Sequence, residues 1–386
     1  MGCSLPLALL ALALAGSACA QLVAMDPSDP YGRVLGAGSL GSSVFERSLV
    51  VADVSAADIA QEHATFAQGL AHHRIFDRTV LAYVTPWNAH GYDVAKTFRG
   101  KFTHLAPLWF RFKRQDGRIT VEGEHDVDAG WIADVREPSP QGQRALVVPL
   151  FQSGLSQDDY AAVLGNPAIA VELVERLVQT VSKHGFDGMV LEMPIPARYV
   201  MGIAKKLSAS LRSEGKQLIW VIPPRHSYMP YDPFDFGDFA NMEPLVDFFS
   251  LMTYDFSPYQ GAGPNAPLQW IADNVQRICE NEDSRHKILM GMNMYGYDYD
   301  HTLKRGDAII GPKIVSVLSS TETHITWDDE AGEHKFQYTD AESHSHTVHY
   351  PTLMSIQQRI ELANELGVGL SLWEIGQGLD YFYELI

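Results

Sequence analysis

The chain has 386 residues, 46% hydrophobic and 20% charged, the balance of a globular protein with material for a large core. It carries 29 Lys and Arg against 47 Asp and Glu, a formal net charge of −18. That balance excludes a general nucleic-acid binder, which needs a basic footprint, and electrostatic docking on anionic membranes. Neutral ligands such as sugars stay open.

Residues 4–16 read SLPLALLALALAG, an apolar run too short to span a bilayer. Ala18-Cys19-Ala20 follows as a small-x-small cleavage pattern. We expect a signal peptide over 1–20, cut before Gln21, and a secreted protein, with lysosome or late endosome as alternative destinations. No later stretch is apolar enough for a transmembrane segment. Cys3 and Cys19 leave with the signal, so Cys279 remains alone, a buried thiol with no intramolecular partner. No Asn-x-Ser/Thr sequon occurs. Mass spectrometry of the processed protein is expected to start the chain at Gln21, with no disulfide and no N-glycan increment. A mass that includes residues 1–20 would refute the signal.

Residues 21–45 lack periodicity and read as a flexible leader; 52–70 read as helical, and the N-terminal unit runs to 78. From 79 onward, short apolar runs alternate with longer amphipathic segments. The runs are TVLAYVT (79–85), FTHLAPLW (102–109), RALVVPL (144–150), FDGMVLEM (186–193), QLIWVIP (217–223), DFFSLMT (247–253), KILMGMN (287–293) and VGLSLW (368–373). They are continuous in apolar residues, as strands buried on both faces should be. Helical patterns such as 156–185 and 351–367 lie between them. The expected fold class is α/β, a (β/α)8 TIM barrel over 79–386. Residues 294–351 exceed what a barrel needs. HITWDDEAGEHKFQYT and HTVHYP alternate there like a hairpin, so a small β-rich insertion is expected between strands seven and eight.

Barrels of this type work at the C-terminal ends of their strands. The residues expected there are aromatic with few charges, among them Trp87, Trp109, Glu192, Tyr254, Asp255, Tyr295 and Trp373. Aromatic faces with a few polar groups suit a neutral oligosaccharide. Trp220 and Trp270 read as core.

The set HGFDGMVLE, SLMTYDF, MGMNMYG and VGLSLW resembles glycoside hydrolase family 18, the chitinase-type (β/α)8 barrels, across 79–386. The resemblance implies an Asp-x-x-Asp-x-Asp-x-Glu motif on strand four whose last Glu is the general acid. Aligned on it, this chain has Asp187, Val190, Glu192 and Pro194, so the acid is absent. Glu192 shares a strand face with 194 but lies two residues deeper, roughly 6.6 Å at ~3.3 Å per residue, more than one added methylene can span. An acid must come within about 2.6–3.2 Å of the leaving oxygen. The resemblance also implies that Tyr254 and Asp255 hold an acetamido group and that Trp373 floors the central subsite. It places Tyr83, Trp109 and Tyr295 at the family's aromatic positions on strands one, two and seven.

His344, His346 and His349 cluster in the insertion, and His72 adjoins His73; none has metal-ligand spacing, so no metal and no cofactor is expected. No phosphate-binding loop or nucleophile elbow occurs. The expected function is a chitinase-like, saccharide-binding protein without hydrolytic activity. Its ligand would be a chito-oligosaccharide or bacterial glycan, with a protein receptor as a further partner and a role in innate pathogen sensing. The alternatives are a weak glycosidase with its acid relocated to Asp255 or Glu374, and an interaction scaffold with a vestigial mouth.

Overall fold

In the computed structural model, which describes residues 41–257, 261–320 and 323–386, every apolar run forms a barrel strand. In chain order these are Val80–Val84, His104–Pro107 continued by Phe110–Gln115, Leu146–Val147 continued by Leu150–Ser153, Gly188–Glu192, Gln217–Ile222, Phe248–Leu251, Ile288–Asn293 and Gly369–Trp373. Neighbours pair in parallel and the last strand pairs with the first, Leu370 opposite Val80, which closes the ring. The third strand breaks at Val148-Pro149 because proline has no N–H for the ladder; its carbonyl still accepts from Val190 N at 2.9 Å.

Alternation along each strand makes two cores. Leu81, Tyr83, Ala106, Val148, Leu150, Val190, Ile219, Val221 and Leu289 fill the barrel, and the opposite faces pack against the surrounding helices. Asp187 and Asp247 do the same work at two strand starts. Asp187 Oδ2 accepts from Val147 N at 2.8 Å and from Arg136 Nη2 at 2.7 Å, while Asp247 Oδ2 accepts from Leu218 N at 2.8 Å. Asp187, the one motif carboxylate intact in type, is therefore a clamp at the bottom of the barrel.

Three local expectations change. The 156–185 pattern is two helices, Gln157–Gly165 and Pro167–Lys183, because Asn166 caps the second through Ala168 N at 3.0 Å and Pro167 opens it. The 52–70 stretch is helical only over Ala56–Glu62 and Gln68–Leu70. The described end of the leader is packed. Val44 is buried, and the buried Glu384 carboxylate accepts from Val44 N at 3.1 Å and Ala67 N at 3.0 Å. The signal peptide and the rest of the leader lie outside the described residues.

Between the seventh and eighth barrel strands stands a five-stranded antiparallel sheet, Gly296–Asp300, Arg305–Ile309, Thr326–Asp328, Glu333–Thr339 and Ser345–Tyr350. The expected hairpin is its Glu333–Thr339 and Ser345–Tyr350 pair. Cys279 is buried and free. Among the described residues no group of His, Cys, Asp and Glu has metal-binding geometry, and no helix is long and apolar enough to cross a membrane.

Candidate saccharide site at the barrel mouth

Trp373 ends the eighth strand facing inward, half-buried across the mouth. Tyr83 supports it from below, edge to face with centroids 5.1 Å apart, and Tyr254 lies nearly parallel at 6.4 Å and 20°. Tyr83 is itself buried. Its hydroxyl donates to Ser250 Oγ at 2.9 Å, and Ser250 Oγ bonds Ser371 Oγ at 2.9 Å. Tyr83 thus carries the floor rather than forming its open surface. The close approach of Tyr254 depends on Gly291, because a Cβ there would stand 2.4 Å from Leu251 O and 3.0 Å from Tyr254 Cε1.

Two carboxyls open onto this floor. Glu192 follows Val190 on the inner face of the fourth strand, and its Oε2 accepts from Gln152 Nε2 at 3.1 Å. Burial pushes the Glu192 carboxyl up, against the lowering effect of Gln152. Asp255 is solvent-accessible, adopts φ 61°, and accepts the Tyr295 hydroxyl on Oδ1. The protein packed around it pushes this carboxyl up as well, and the Tyr295 hydrogen bond opposes the shift. Burial also drives the Tyr254 and Tyr295 phenols well above their ordinary value, so both stay protonated donors. The floor therefore offers one flat apolar face, phenol and amide donors and carboxyl acceptors.

Two expected residues stand elsewhere. Trp109 is buried on the outside of the barrel, between Trp131 and Phe186, and its Nε1 donates to Tyr92 Oη at 2.7 Å. Leu108 faces inward, and a one-residue step puts Trp109 on the opposite face. Trp109 is a core residue, not a mouth residue. Glu374 likewise follows inward-facing Trp373 and is fully buried on the other side, its Oε1 accepting from Asn88 Nδ2 at 2.5 Å. It cannot serve as a relocated acid on the mouth floor. Trp87 is 69% exposed on the loop after the first strand, a rim position. Pro194 is exposed in the loop after the fourth strand.

Glu374 has its own consequence. Burial raises its carboxyl from 4.5 to about 7, with Asn88 opposing. The folded protein then binds the proton more tightly than the unfolded chain. Stability from this group is full below about pH 4.5 and is lost as pH rises to about 7. Glu374→Gln is expected to flatten that segment of the pH–stability curve, gaining on the order of 2 kcal/mol at pH 7.5 relative to its effect at pH 4. Urea midpoints at the two pH values measure it, and equal effects at both would refute the account.

The sequence expectation passed over an apolar cleft of about 280 Å³ beside Glu192, walled by Pro194, Pro223, Pro230, Tyr231, Phe234 and Met252. The prolines, spaced along two loops after the fourth and fifth strands, were the available signal. They leave a wall poor in N–H donors.

The family model described as glycosyl hydrolases family 18 matches residues 79–378. The cortical fragment-lytic enzyme of Bacillus anthracis is 24% identical over 285 residues, which cover 71% of this chain and 65% of that protein. The enzyme of the same name from Bacillus subtilis (strain 168) is 24% identical over 60% of this chain and 56% of its own length. The chain thus spans less than two thirds of these relatives. Among solved structures, a chitinase from Chromobacterium violaceum superposes with a TM-score of 0.67 at 20% identity, covering 80% of this chain and 98% of that one. A Cycas revoluta chitinase variant in complex with (GlcNAc)4 gives 0.61 at 16% identity, covering 79% and 97%. These likenesses concern the barrel fold.

Proposed function

Because the chain belongs to glycosyl hydrolases family 18, we propose that its mouth binds a neutral, N-acetylated oligosaccharide and holds it without cleaving it. The observation that carries this reading is the Trp373 floor flanked by Tyr254 and Asp255, at the end of a barrel whose fourth strand continues into exposed Pro194. A sugar ring stacks on the indole, and an acetamido group meets the Tyr254 phenol and the Asp255 carboxylate at its side. Proline can neither donate a proton nor offer an N–H. Glu192 is held inside the barrel by Gln152, one layer below that position. The solved relative bound to (GlcNAc)4 supports chito-oligosaccharides as ligands, and the Bacillus relatives named cortical fragment-lytic enzymes support a bacterial glycan. The apolar run at residues 4–16 supports delivery through the secretory route.

A second reading is a slow glycosidase. The accessible Asp255, with its raised carboxyl, favours it, and so do relatives named as lytic enzymes. The two readings differ in turnover, not in binding.

Titration with chitotetraose, followed by tryptophan fluorescence, tests the site. Trp373→Ala is expected to weaken binding by about 2 kcal/mol, roughly thirtyfold, as loss of a central aromatic anchor does. Trp373→Phe should recover part of it. Unchanged affinity in a folded Trp373→Ala protein would remove the mouth as the site.

A further inference from the structure

We propose that Asn265 is the positioning residue for Asp255, held to that task by the buried Glu333–Arg359 pair, so that the inserted sheet is part of the saccharide site. The inference rests on the saccharide reading of the mouth. Asp255 adopts φ 61°, a left-handed conformation uncommon for L-residues, though Asp takes it more readily than most, and one that needs partners to be held as a single state. Asn265 supplies that fixing. Its Oδ1 accepts from Asp255 N at 2.7 Å, its carbonyl accepts from Phe256 N at 2.8 Å, and its Nδ2 donates to Tyr295 O at 3.4 Å. Tyr295 in turn donates its hydroxyl to the Asp255 carboxylate. One buried amide therefore touches the backbone of Asp255 and the backbone of the residue that bonds its side chain.

Asn265 is oriented from behind. Glu333 Oε2 accepts from Asn265 N at 2.9 Å and Oε1 from Ala266 N at 2.7 Å. Arg359, on the helix Leu353–Leu366, donates to Glu333 Oε1 at 3.0 Å, to Ala266 O at 2.6 Å and to Gly332 O at 2.7 Å. Glu333 is 0% and Arg359 1% exposed. A buried ion pair seldom stabilises more than apolar side chains of the same volume would. What these charges add is direction. The two Glu333 oxygens take the N–H groups of consecutive residues, which fixes the peptide plane between them and with it the path of the Asn265 side chain. Glu333 opens a strand of the insertion, so the insertion reaches Asp255 through two hydrogen bonds.

The test uses Asn265→Ala in the full chain with two readouts. The first is the titration of the Asp255 carboxyl, followed by carbon-detected NMR of protein labelled at aspartate; Tyr254, Tyr295 and Tyr297 are the titratable groups that face it. The raised Asp255 value is expected to move down toward the ordinary aspartate range as the carboxyl turns away from the protein packed around it, whose raising effect is larger than the lowering effect of the Tyr295 hydrogen bond lost with it. The second is chitotetraose affinity. It is expected to fall about tenfold, the scale of a misplaced hydrogen bond to a charged group. In an Asp255→Gly background, which tolerates positive φ and has no carboxyl to place, Asn265→Ala should change affinity less than about twofold. An unmoved Asp255 titration, or the same affinity loss with and without the carboxyl, overturns the proposal. A wild-type protein that ignores chitotetraose would sink the saccharide reading, and the Asp255 titration would still decide the role of Asn265. Should Asn265→Ala not fold, Glu333→Gln, which leaves one oxygen for two N–H groups, carries both measurements.

Discussion

Chitotetraose incubated with the protein is expected to be cut at least 10²- to 10⁴-fold more slowly than by an enzyme of the usual ~1–10³ per second, the loss that follows from general acid catalysis alone. The geometry gives the reason. The loop position after the fourth strand is Pro194, exposed and without a proton to give, while Glu192 is tied to Gln152 within the barrel. Of the two relocated acids considered, Glu374 is fully buried behind the eighth strand and bonded to Asn88. Asp255 is the more exposed of the two carboxyls on the floor, and its Oδ1 is engaged by Tyr295. Pro194→Glu alone should not restore full turnover, because apolar Val190 stands inside the barrel where the resemblance implies a second Asp. Turnover in the usual range that persists through repurification would overturn both the binding-only and the slow-glycosidase readings. Loss of that turnover in Asp255→Asn, with chitotetraose affinity retained, would then name the acid.

Glu333→Ala is expected to destabilise the protein by about 3–5 kcal/mol, as the loss of one partner of a buried ion pair does. The Arg359 guanidinium would stay buried without its carboxylate, and the N–H groups of Asn265 and Ala266 would lose their acceptor. Arg359→Met should cost a similar amount by stranding the Glu333 charge. The double variant should cost clearly less than the two single losses together, because each removes the same interaction. Urea unfolding of all four proteins measures the cycle. Additive losses would show that the two side chains act independently.

The barrel was legible because its strands are buried on both faces, and such strands advertise themselves as continuous apolar runs. Side-chain direction was legible only inside a strand. Alternation correctly turned Glu192 and Val190 inward. At strand ends a single residue decides the face, and position at a strand end, with the resemblance, misplaced Trp109 and admitted Glu374. Tyr83 was placed on the right strand, but one layer too high, because sequence carries no depth. The antiparallel sheet's hairpin over Glu333–Thr339 and Ser345–Tyr350 followed from its alternating pattern. Its link to the site did not, since Asn265, Glu333 and Arg359 lie 68 and 26 residues apart along the chain and meet only through the fold. Pro223 closed an apolar run, Pro194 stood at the acid position of the fourth strand and Pro230 drew no reading; only the fold gathers them into one wall.

A crystal of the protein soaked in chitotetraose tests the central claim most directly. The account predicts an intact oligosaccharide with one ring stacked on the Trp373 indole and its acetamido group between Tyr254 and Asp255. An empty mouth, a sugar bound elsewhere, or a shortened chain in the mouth would contradict it.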